Sequence, residues 1–304
     1  MGAETSLTMQ KRCQHRQQVI GFLQDHLTGH RWELTLPSSG RGQETYVAQS
    51  NGDSYFIKVG AQIPRYQVMA SLNLTPAMIA SGYLVDGTSI LVQPYIEGRN
   101  PSWQDFHHFL PRIAAVVKKT HHSPALRNIL PTPLSETYKD VGLAAVRRVQ
   151  HKWELHRAQV PLVANYVDEA LAHLEQEIQG FLGAGLVASH NDICNGNWLI
   201  ALDGKVYLVD LEAMTLDDPA HDMGSLLWWY YPPELRPGFL ESAGYVYDEA
   251  FRNRMRVRMA LHCLDILLPR VGSFDRFQAA TFAEELVDFK AAVAGRENPQ
   301  GYGA

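Results

Sequence analysis

Hydrophobic and polar residues alternate in the first third of the chain, and hydrophobic residues recur with helical spacing in most of the remainder. Segments at 32–36, 44–49 and 54–59 predict β-strands, and an amphipathic pattern at 14–27 predicts a helix before them. Further helices are predicted at 65–72, 103–120, 143–159, 162–182, from 220 onward, at 239–268 with a possible break, and at 274–294.

Lys58 stands in an otherwise hydrophobic strand that follows a predicted hairpin turn. Asn51-Gly52 between two alternating segments is a strong signal for a two-residue turn, because both central positions favour positive φ. Burial of an unpaired ammonium is costly, so Lys58 requires an anionic partner. The polar segment 38–42 offers backbone N–H groups suited to phosphate oxygens, although ordinary turns have the same composition. Its predicted phosphate-binding residues are Ser39, Gly40 and Gly42.

A second predicted hairpin brings three oxygen-bearing side chains toward one place. Asp203-Gly204 predicts a two-residue turn between two short strands. In that register Asn197 lies directly opposite Asp210, with Cβ atoms roughly 4.5–5.5 Å apart. Asp192 lies on a polar loop just before them.

Amide and carboxylate oxygens at such a place suit magnesium. This hard ion takes one or two protein carboxylates and fills its other positions with water and phosphate oxygens. Asn197 and Asp210 are therefore the predicted magnesium ligands. Asp192 then remains available to orient an attacking hydroxyl and to accept its proton. The alternative is that each of these residues merely caps a turn.

Two sequence segments resemble the motifs of a known family. HNDICNGN at 190–197 and VDLE at 209–212 resemble the catalytic loop and the metal-binding segment of the choline kinase and aminoglycoside phosphotransferase family, whose members are relatives of the protein kinases. Asn191 before Asp192, together with Glu212, is more similar to the choline and ethanolamine kinases than to the antibiotic-modifying branch.

The resemblance implies a bilobed, protein-kinase-like α+β fold and a small-molecule kinase. A small antiparallel-sheet lobe at 1–98 would bind the nucleotide, and a larger, mostly helical lobe at 99–304 would carry catalysis and substrate binding. ATP would be the phosphoryl donor and Mg²⁺ its metal. Lys58, and backbone groups near Gln93 and Tyr95, would contact the nucleotide.

The chain departs from the family at the helix that follows Lys58. The family has a glutamate there that pairs with the lysine, whereas residues 65–72 contain no acidic side chain. Arg65 or Gln67 stands near the expected position. This departure supports an alternative in which the protein is a catalytically inactive, nucleotide-binding relative.

Trp228 and Trp229 are the substrate-binding candidates, because tryptophans at this place in choline kinases line the alcohol pocket. Aromatic rings attract quaternary ammonium by about 0.5–2 kcal/mol each, although core packing is an alternative for at least one of the two. The acidic residues Glu212 and Asp222, with Asp192 at the reacting hydroxyl, favour a cationic alcohol. The expected acceptor is therefore choline or ethanolamine, with aminoglycosides and thiamine as alternatives.

Asp218, Pro219 and Asp222 resemble a family segment whose second acidic residue supports the catalytic loop through hydrogen bonds. For Asp218 a helix-capping role is equally compatible with the sequence, because Pro219 suits the first helical position. One of the pair His121 and His122 matches a family position that packs near the catalytic loop.

Composition and charge exclude several other classes of protein. The 304-residue chain has a formal net charge of −5, which gives no support for nucleic-acid binding. No apolar segment reaches the roughly 18 residues of a membrane span, and residues 1–12 lack the apolar core of a signal peptide. Three cysteines without paired spacing suit a reducing compartment. We expect a cytoplasmic protein that binds a small molecule and neither nucleic acid nor membrane; its oligomeric state stays open.

Overall fold

The first part of the chain forms a five-stranded antiparallel sheet, preceded by a long helix. A computed structural model describes residues 2–28, 31–37, 44–269 and 276–302. The first elements are α1 (Gly2–His26), β1 (Glu33–Thr35), β2 (Glu44–Ser50), β3 (Asp53–Val59), α2 (Ile63–Ser71), β4 (Ala80–Tyr83), β5 (Ser89–Pro94) and β6 (Gly98–Arg99). The strands of the sheet lie in the order β1-β2-β3-β5-β4, and each neighbouring pair is antiparallel.

Alternation of buried and exposed positions packs this sheet against α1. Ile57, Ile90 and Val92 of the adjacent strands β3 and β5 are completely buried, as are Val19 and Leu23 of α1. Burial of a side chain of this size contributes about 1.5–3 kcal/mol. The sheet and α1 therefore share one hydrophobic core.

The turn between β2 and β3 is the two-residue hairpin turn that the sequence predicts. Ser50 pairs with Asp53, and the intervening Asn51 and Gly52 have φ values of 54° and 90°. Positive φ at both positions is the geometry of a type I′ turn, which asparagine and glycine adopt at low cost. The predicted phosphate-binding residues before β2 lie outside the described part of the chain and stay a prediction: Ser39, Gly40 and Gly42.

Helices make up most of the remaining chain. The helices are α3 (Trp103–His108), α4 (Leu110–His121), α5 (Pro124–Ile129), α6 (Tyr138–His156), α7 (Pro161–Gln179), α8 (Pro219–Tyr230), α9 (Arg236–Ala243), α10 (Glu249–Leu267), α11 (Phe282–Glu285) and α12 (Val287–Val293), and the strands among them are β7 (Val187–Ser189), β8 (Trp198–Ala201), β9 (Val206–Leu208) and β10 (Thr215–Asp217). The predicted helix at 239–268 is interrupted at Gly244, which has a φ of 87° and ends α9. Among the residues described, no helix combines the length and the apolar character needed to cross a bilayer.

One hydrophobic core joins α6, α7, α10, α11 and α12. Trp153, Phe282 and Phe289 are among its largest side chains, and each is at most 1% exposed. The helix α8 contributes Trp228 to this core, and it packs against α10 at Gly224, where an added Cβ would lie 2.6 Å from the Met255 carbonyl oxygen. That distance is too short for a side chain, so glycine at 224 permits the close approach of the two helices.

The loop between β8 and β9 differs from the predicted two-residue turn. The Ala201 N–H donates to the Lys205 carbonyl at 2.9 Å, and the Gly204 N–H donates to the Ala201 carbonyl at 2.8 Å. The loop therefore contains three residues, with Gly204 at a φ of 77° in the left-handed position that follows a type I turn. The predicted register that set Asn197 opposite Asp210 is wrong. Asn197 ends a 3₁₀ turn before β8, and Asp210 follows β9 with a φ of 63°.

The chain divides into two compact units, each built from two separate stretches of sequence. Met1–Arg99 and Leu199–Glu212 form the sheet unit, and Asn100–Trp198 and Ala213–Ala304 form the helical unit. A small antiparallel sheet in one unit and a predominance of helices in the other confirm the predicted α+β class. The assignment of nucleotide binding to 1–98 and of catalysis to 99–304 stays a prediction.

His15 of α1 joins three segments of the sheet unit through two carboxylates. Its Nδ1 lies 2.7 Å from Glu44 Oε2, its Nε2 lies 3.1 Å from Asp86 Oδ2, and the residue is 3% exposed. Burial acts to lower the pKa of His15, but the two carboxylates raise it above 6.5. A raised pKa in the folded state stabilises the protein fully below the unfolded-state pKa, and this stabilisation is lost as pH rises through the folded-state pKa.

We therefore expect the free energy of unfolding to fall as pH rises above 6.5 through the folded-state pKa of His15, and we expect His15→Gln to remove that part of the pH dependence. Urea denaturation of both proteins from about pH 5 to about pH 8 measures the effect. His26→Gln is the matched control, because His26 is exposed on the same helix and bonds the backbone carbonyl of Phe22. Parallel pH profiles of the wild type and His15→Gln would contradict the prediction.

Candidate functional site

A buried strand ends directly before the loop that carries Asp192. All three residues of β7 are buried, and β7 pairs with β10 in the helical unit. His190 is completely buried, whereas Asn191 and Asp192 are partly exposed. The strand therefore leads the chain from the core to the surface of the helical unit at the position of Asp192.

Asp222 holds the backbone of this loop. Its carboxylate accepts hydrogen bonds from the His190 N–H at 2.7 Å and from the Asn191 N–H at 2.9 Å. His121 Nε2 lies 3.0 Å from the same carboxylate, and His121 Nδ1 lies 2.6 Å from the Tyr245 hydroxyl. Burial acts to raise the pKa of Asp222, but the hydrogen bond from His121 and the neighbouring imidazole rings hold it well below its usual range. These are the hydrogen bonds that the sequence resemblance implies for Asp222.

Asp218 caps α8. Its Oδ1 accepts a hydrogen bond from the Ala220 N–H at 2.9 Å, and its Oδ2 lies 2.9 Å from Arg254 Nε. Burial raises the pKa of Asp218, and the Arg254 cation opposes that change. For Asp218 the capping alternative is therefore the one that the structure supports.

Asn191 fixes the loop with its own side chain. Its φ of 62° is left-handed, a conformation that asparagine adopts more readily than most residues. Its Nδ2 donates to the Ala213 carbonyl at 3.1 Å and to the Thr215 hydroxyl at 2.6 Å. Its Oδ1 lies 3.0 Å from Ser189 Oγ and 2.8 Å from His221 Nδ1. Four hydrogen bonds through one side chain leave the loop little freedom at this residue.

Asn197 and Asp192 belong to the same loop. Asn197 Nδ2 donates to the backbone carbonyl of Asp192 at 2.6 Å, so the Asn197 amide oxygen stays available for another ligand. Asp192 lines a cavity of about 600 Å³ in the helical unit. In the described part of the chain, no donor is hydrogen-bonded to the Asp192 carboxylate. The loop therefore presents a carboxylate in the wall of a cavity of small-molecule size.

In the sheet unit, Lys58 binds two carboxylates. Lys58 is 4% exposed, and its Nζ lies 2.8 Å from Asp210 Oδ1 and 2.7 Å from Glu212 Oε2. The Tyr66 hydroxyl lies 2.8 Å from the same Nζ. The anionic partner that the burial of Lys58 requires is therefore supplied by the segment after β9.

Two residues of α2 support this segment in place of a helix glutamate. The Tyr66 hydroxyl lies 3.2 Å from Glu212 Oε2 as well as beside Lys58. Arg65 Nη1 donates to the backbone carbonyls of Leu211 at 2.9 Å and Glu212 at 2.5 Å. The helix therefore holds the backbone that carries the acidic partner of Lys58.

The oxygen atoms around Lys58 are suited to a hard cation. Burial and the neighbouring Asp210 carboxylate raise the pKa of Glu212, while Lys58 acts in the opposite direction. Two carboxylates share one ammonium, which leaves net negative charge at these three side chains. Within the described ranges, no three His, Cys, Asp or Glu side chains gather into a metal-binding group. Magnesium needs only one or two protein carboxylates, so the oxygen atoms of Asp210 suit it chemically. The amide oxygen of Asn197, on the loop of the helical unit, is by itself also a ligand of the type that magnesium takes.

Gln93 and Tyr95 are predicted to contact adenine through their backbone groups. In the structure, the backbone groups of both residues point toward β3. The Tyr95 N–H donates to the Ser54 carbonyl at 3.0 Å. Bonded and non-bonded pairs alternate along an antiparallel ladder, so Gln93 also directs its backbone groups at β3, opposite Phe56. By the same alternation the Pro94 carbonyl points away from β3. The Pro94 carbonyl is therefore the hydrogen-bond acceptor on the side of this segment that faces away from β3.

The two candidate tryptophans do not line the cavity that contains Asp192. Trp228 is 8% exposed, packs in the helical core and donates its indole N–H to the Arg296 carbonyl at 3.1 Å. Trp229 is partly buried against the same core, with its ring centroid 4.9 Å from that of Trp228. Neither is among the residues that line the cavity in the described structure. Core packing, the alternative for at least one of the two, is what the structure shows for Trp228. A role of the two tryptophans in substrate binding stays a prediction.

Sequence reasoning did not single out Tyr66, His221 or Arg258. Tyr66 binds Lys58, His221 binds Asn191, and Arg258 Nη2 lies 2.5 Å from Asp217 Oδ2. A signal existed for Tyr66, because a helix without an acidic residue has to offer another polar group to the lysine. The other two contacts join distant segments, and no local spacing indicates them.

Known proteins share this sequence pattern and this fold. The sequence model of the phosphotransferase enzyme family matches residues 30–259. Choline kinase LicA from Streptococcus pneumoniae is similar in structure, with a TM-score of 0.62 and 17% identity over 91% of this chain and 99% of that chain. A choline/ethanolamine kinase family protein from Mesorhizobium loti is similar with a TM-score of 0.63 and 18% identity, over 94% and 98% of the two chains.

Spectinomycin phosphotransferase APH(9)-Ia, in complex with ADP and spectinomycin, is similar with a TM-score of 0.57 and 15% identity, over 91% of this chain and 96% of that chain. At such low identity these likenesses concern the fold. They confirm the kinase-like fold that the sequence motifs predict.

Asp222→Asn is expected to destabilise the protein by about 3–5 kcal/mol. The amide has one acceptor oxygen in place of two, so it cannot satisfy both loop N–H groups and His121 at once. Urea denaturation measures the loss, and hydrogen exchange of the His190 and Asn191 amides shows where it occurs.

Asp248→Asn is the matched control for Asp222→Asn. Asp248 caps α10 by accepting a hydrogen bond from the Phe251 N–H at 2.7 Å, and asparagine caps helices equally well. If the two variants lose the same amount of stability, Asp222 does not have the supporting role described above.

Proposed function

This chain belongs to the phosphotransferase enzyme family, whose model matches residues 30–259, and from that premise we propose that it transfers the γ-phosphoryl group of ATP to a hydroxyl of a small molecule. The observation that carries the proposal is the position of Asp192, on a loop fixed by Asn191 and Asp222 and in the wall of a cavity. A carboxylate placed in this way is suited to orient a hydroxyl and to accept its proton.

Asp192 has the proton-accepting role in the proposed reaction. The acceptor hydroxyl donates a hydrogen bond to Asp192 and attacks the γ-phosphorus of ATP. As the new O–P bond forms, the bond to the bridging oxygen of ADP breaks and the hydroxyl proton passes to Asp192. Positioning and charge stabilisation supply most of the rate in such reactions, and misplacement by 1 Å costs about 10²-fold. The hydrogen bonds that fix the loop therefore serve the alignment of the reacting atoms.

Lys58, Asn197 and Asp210 are proposed to hold the nucleotide and its metal. Mg²⁺, when bound, supplies positive charge at the phosphate oxygens. Asp210 and the amide oxygen of Asn197 would be its ligands. The three N–H groups of the Lys58 ammonium bind Asp210, Glu212 and Tyr66. Lys58 would donate to a phosphate oxygen by exchanging its bond to Asp210, whose carboxylate would then be a ligand of the metal. The outward Pro94 carbonyl would accept a hydrogen bond from the adenine amino group.

The residues predicted to select a cationic acceptor have other contacts in the structure. A cationic alcohol such as choline or ethanolamine was expected from Trp228, Trp229 and Glu212. The two tryptophans pack in the helical core, and Glu212 binds Lys58. We therefore retain an alcohol as the acceptor and treat choline, ethanolamine, aminoglycosides and thiamine as test substrates.

The surroundings of Lys58 favour an active enzyme over an inactive nucleotide-binding relative. The inactive alternative depended on the missing acidic residue of α2. Glu212 and Tyr66 bind Lys58 instead, at 2.7 Å and 2.8 Å. With Asp192, Asn197 and a supported lysine all present, no residue that the proposed reaction requires is absent from the sequence.

Asp192→Asn is expected to lower kcat by about 10²–10⁴ while the KM for ATP changes little, because an amide cannot accept the proton. ATP consumption with magnesium is measured over choline, ethanolamine, thiamine, kanamycin and simple sugars. Asp203→Asn, in the exposed loop between β8 and β9, is the matched control. Turnover that survives Asp192→Asn would remove this residue as the base, and no turnover with any compound of the panel would reject the proposed function.

Tyr66→Phe is expected to raise the KM for ATP about tenfold, with a smaller effect on kcat, because a lost hydrogen bond to a charged group costs about 1.5–3 kcal/mol. Lys58→Ala is expected to raise the same KM further. Tyr83→Phe is the control, since Tyr83 is 72% exposed on β4. Steady-state kinetics with varied ATP make the comparison. If Tyr66→Phe and Tyr83→Phe have the same KM, Tyr66 does not support Lys58 during catalysis.

A further inference from the structure

The wall of the cavity that contains Asp192 carries paired charges. Four basic and four acidic side chains are among its described lining residues. Arg258 Nη2 lies 2.5 Å from Asp217 Oδ2, and Lys152 Nζ lies 2.8 Å from Asp265 Oδ1. Arg258 and Lys152 are 2% and 7% exposed, so these pairs are held inside the protein. The formal charges of the described lining sum to zero, and its two buried cations are paired with carboxylates of the same wall. The described lining therefore has no net charge that would select a cationic or an anionic ligand.

In its described part, the wall also has no aromatic side chain of the kind that recognises quaternary ammonium. Among the described lining residues there is no tryptophan, tyrosine or phenylalanine, so the cation–π attraction of an aromatic cage is missing from this part of the structure. The cavity of about 600 Å³ lies within the size range of small-molecule sites. In the described lining, hydrogen bonds from polar side chains are therefore available to a ligand beside contacts with apolar side chains such as Leu261 and Leu268.

His262 of α10 lies in this wall, and its imidazole is available to form hydrogen bonds with a ligand. Its ring centroid lies 5.9 Å from that of His221, and no residue in the described ranges is hydrogen-bonded to its imidazole. Burial, reinforced by His221, lowers the pKa of His262 to about 4. The ring is therefore neutral near pH 7 and presents one N–H donor and one acceptor nitrogen.

Building on the proposed function, we infer that the acceptor is an uncharged polyhydroxylated molecule, a sugar or a polyol, and that His262 binds one of its non-reacting hydroxyl groups. A hydroxyl donates and accepts, so it matches a neutral imidazole in either tautomer. The paired charges of the wall, with Arg258 and Asp217 as an example, present further donors and acceptors without net charge. His262 is partly exposed in the wall, so a bound hydroxyl can reach its imidazole and form a hydrogen bond with it.

The test begins with the acceptor preference of the full chain with ATP and magnesium. D-ribose, D-glucose, myo-inositol and glycerol are compared with choline, ethanolamine and kanamycin by kcat/KM. We expect the best sugar or polyol to exceed choline at least about 100-fold, because a site built to bond hydroxyl groups discriminates against compounds that lack them. A preference for choline, ethanolamine or kanamycin would overturn the inference and leave the proposed function intact. No turnover with any of the compounds would count against both.

Variants of His262 test the second part of the inference. His262→Phe keeps a ring but removes both nitrogen atoms, so the KM for the best sugar or polyol is expected to rise about tenfold while the KM for ATP stays unchanged. His262→Gln retains a donor and an acceptor and is expected to recover part of the loss. His173→Gln is the matched control, because the His173 side chain is 59% exposed on α7.

Binding can be observed at His262 without turnover. The nitrogen resonances of its imidazole are expected to shift when the best sugar or polyol is added to the wild-type protein, and those of His173 are expected to stay in place. An unchanged KM in His262→Phe, or imidazole resonances that do not respond to the sugar, would show that His262 does not bind the acceptor.

Discussion

The carboxylate of Asp222 satisfies two adjacent backbone N–H groups at the end of β7, and the geometry of the helical unit depends on this contact. A buried charge is costly unless donors surround it, and here His190, Asn191 and His121 all contribute. Because the backbone of residues 190 and 191 is held in this way, the direction in which Asp192 leaves the loop is determined. The carboxylate of Asp192 therefore reaches the cavity from a backbone whose position is fixed.

In the sheet unit, a buried cation likewise requires partners around it. Lys58 is buried, and two carboxylates and one hydroxyl surround its ammonium. Arg65 holds the backbone at Leu211 and Glu212, so the acidic segment stays beside the lysine. In each unit, a buried charged side chain thus binds a loop and determines its position: Asp222 binds the loop at 190–191, and Lys58 binds the segment at 210–212.

The sequence was sufficient where a short segment determines its own geometry. Asn51-Gly52 forms the predicted two-residue turn, with positive φ at both positions. Asp203-Gly204 suggests the same turn, but there Gly204 takes the left-handed position of a three-residue loop. The same kind of dipeptide fits both loops, and the flanking strand contacts decide between them. An error of one residue was enough to move Asn197 out of the predicted pairing.

Side-chain partners from distant segments could not be read from the sequence. The burial of Lys58 correctly indicated that an anion must be near, but Asp210 is 152 residues away in sequence and Glu212 is 154. A helical pattern shows that Trp228 is on a helix, whereas the packing of α8 against its neighbours decides which way the indole points. The HNDICNGN and VDLE segments, by contrast, carried the fold class because their residue types and spacing are specific together.

Gly224 lies on α8 two residues after Asp222, at the place where this helix meets the Met255 carbonyl of α10. The distance between α8 and α10 at this contact therefore determines the position of Asp222, which binds the loop that carries Asp192. A single methyl group at 224 would displace the helix and carry Asp222 with it. The position of Asp222 thus depends on an atom that is missing from glycine, in a contact between two helix backbones.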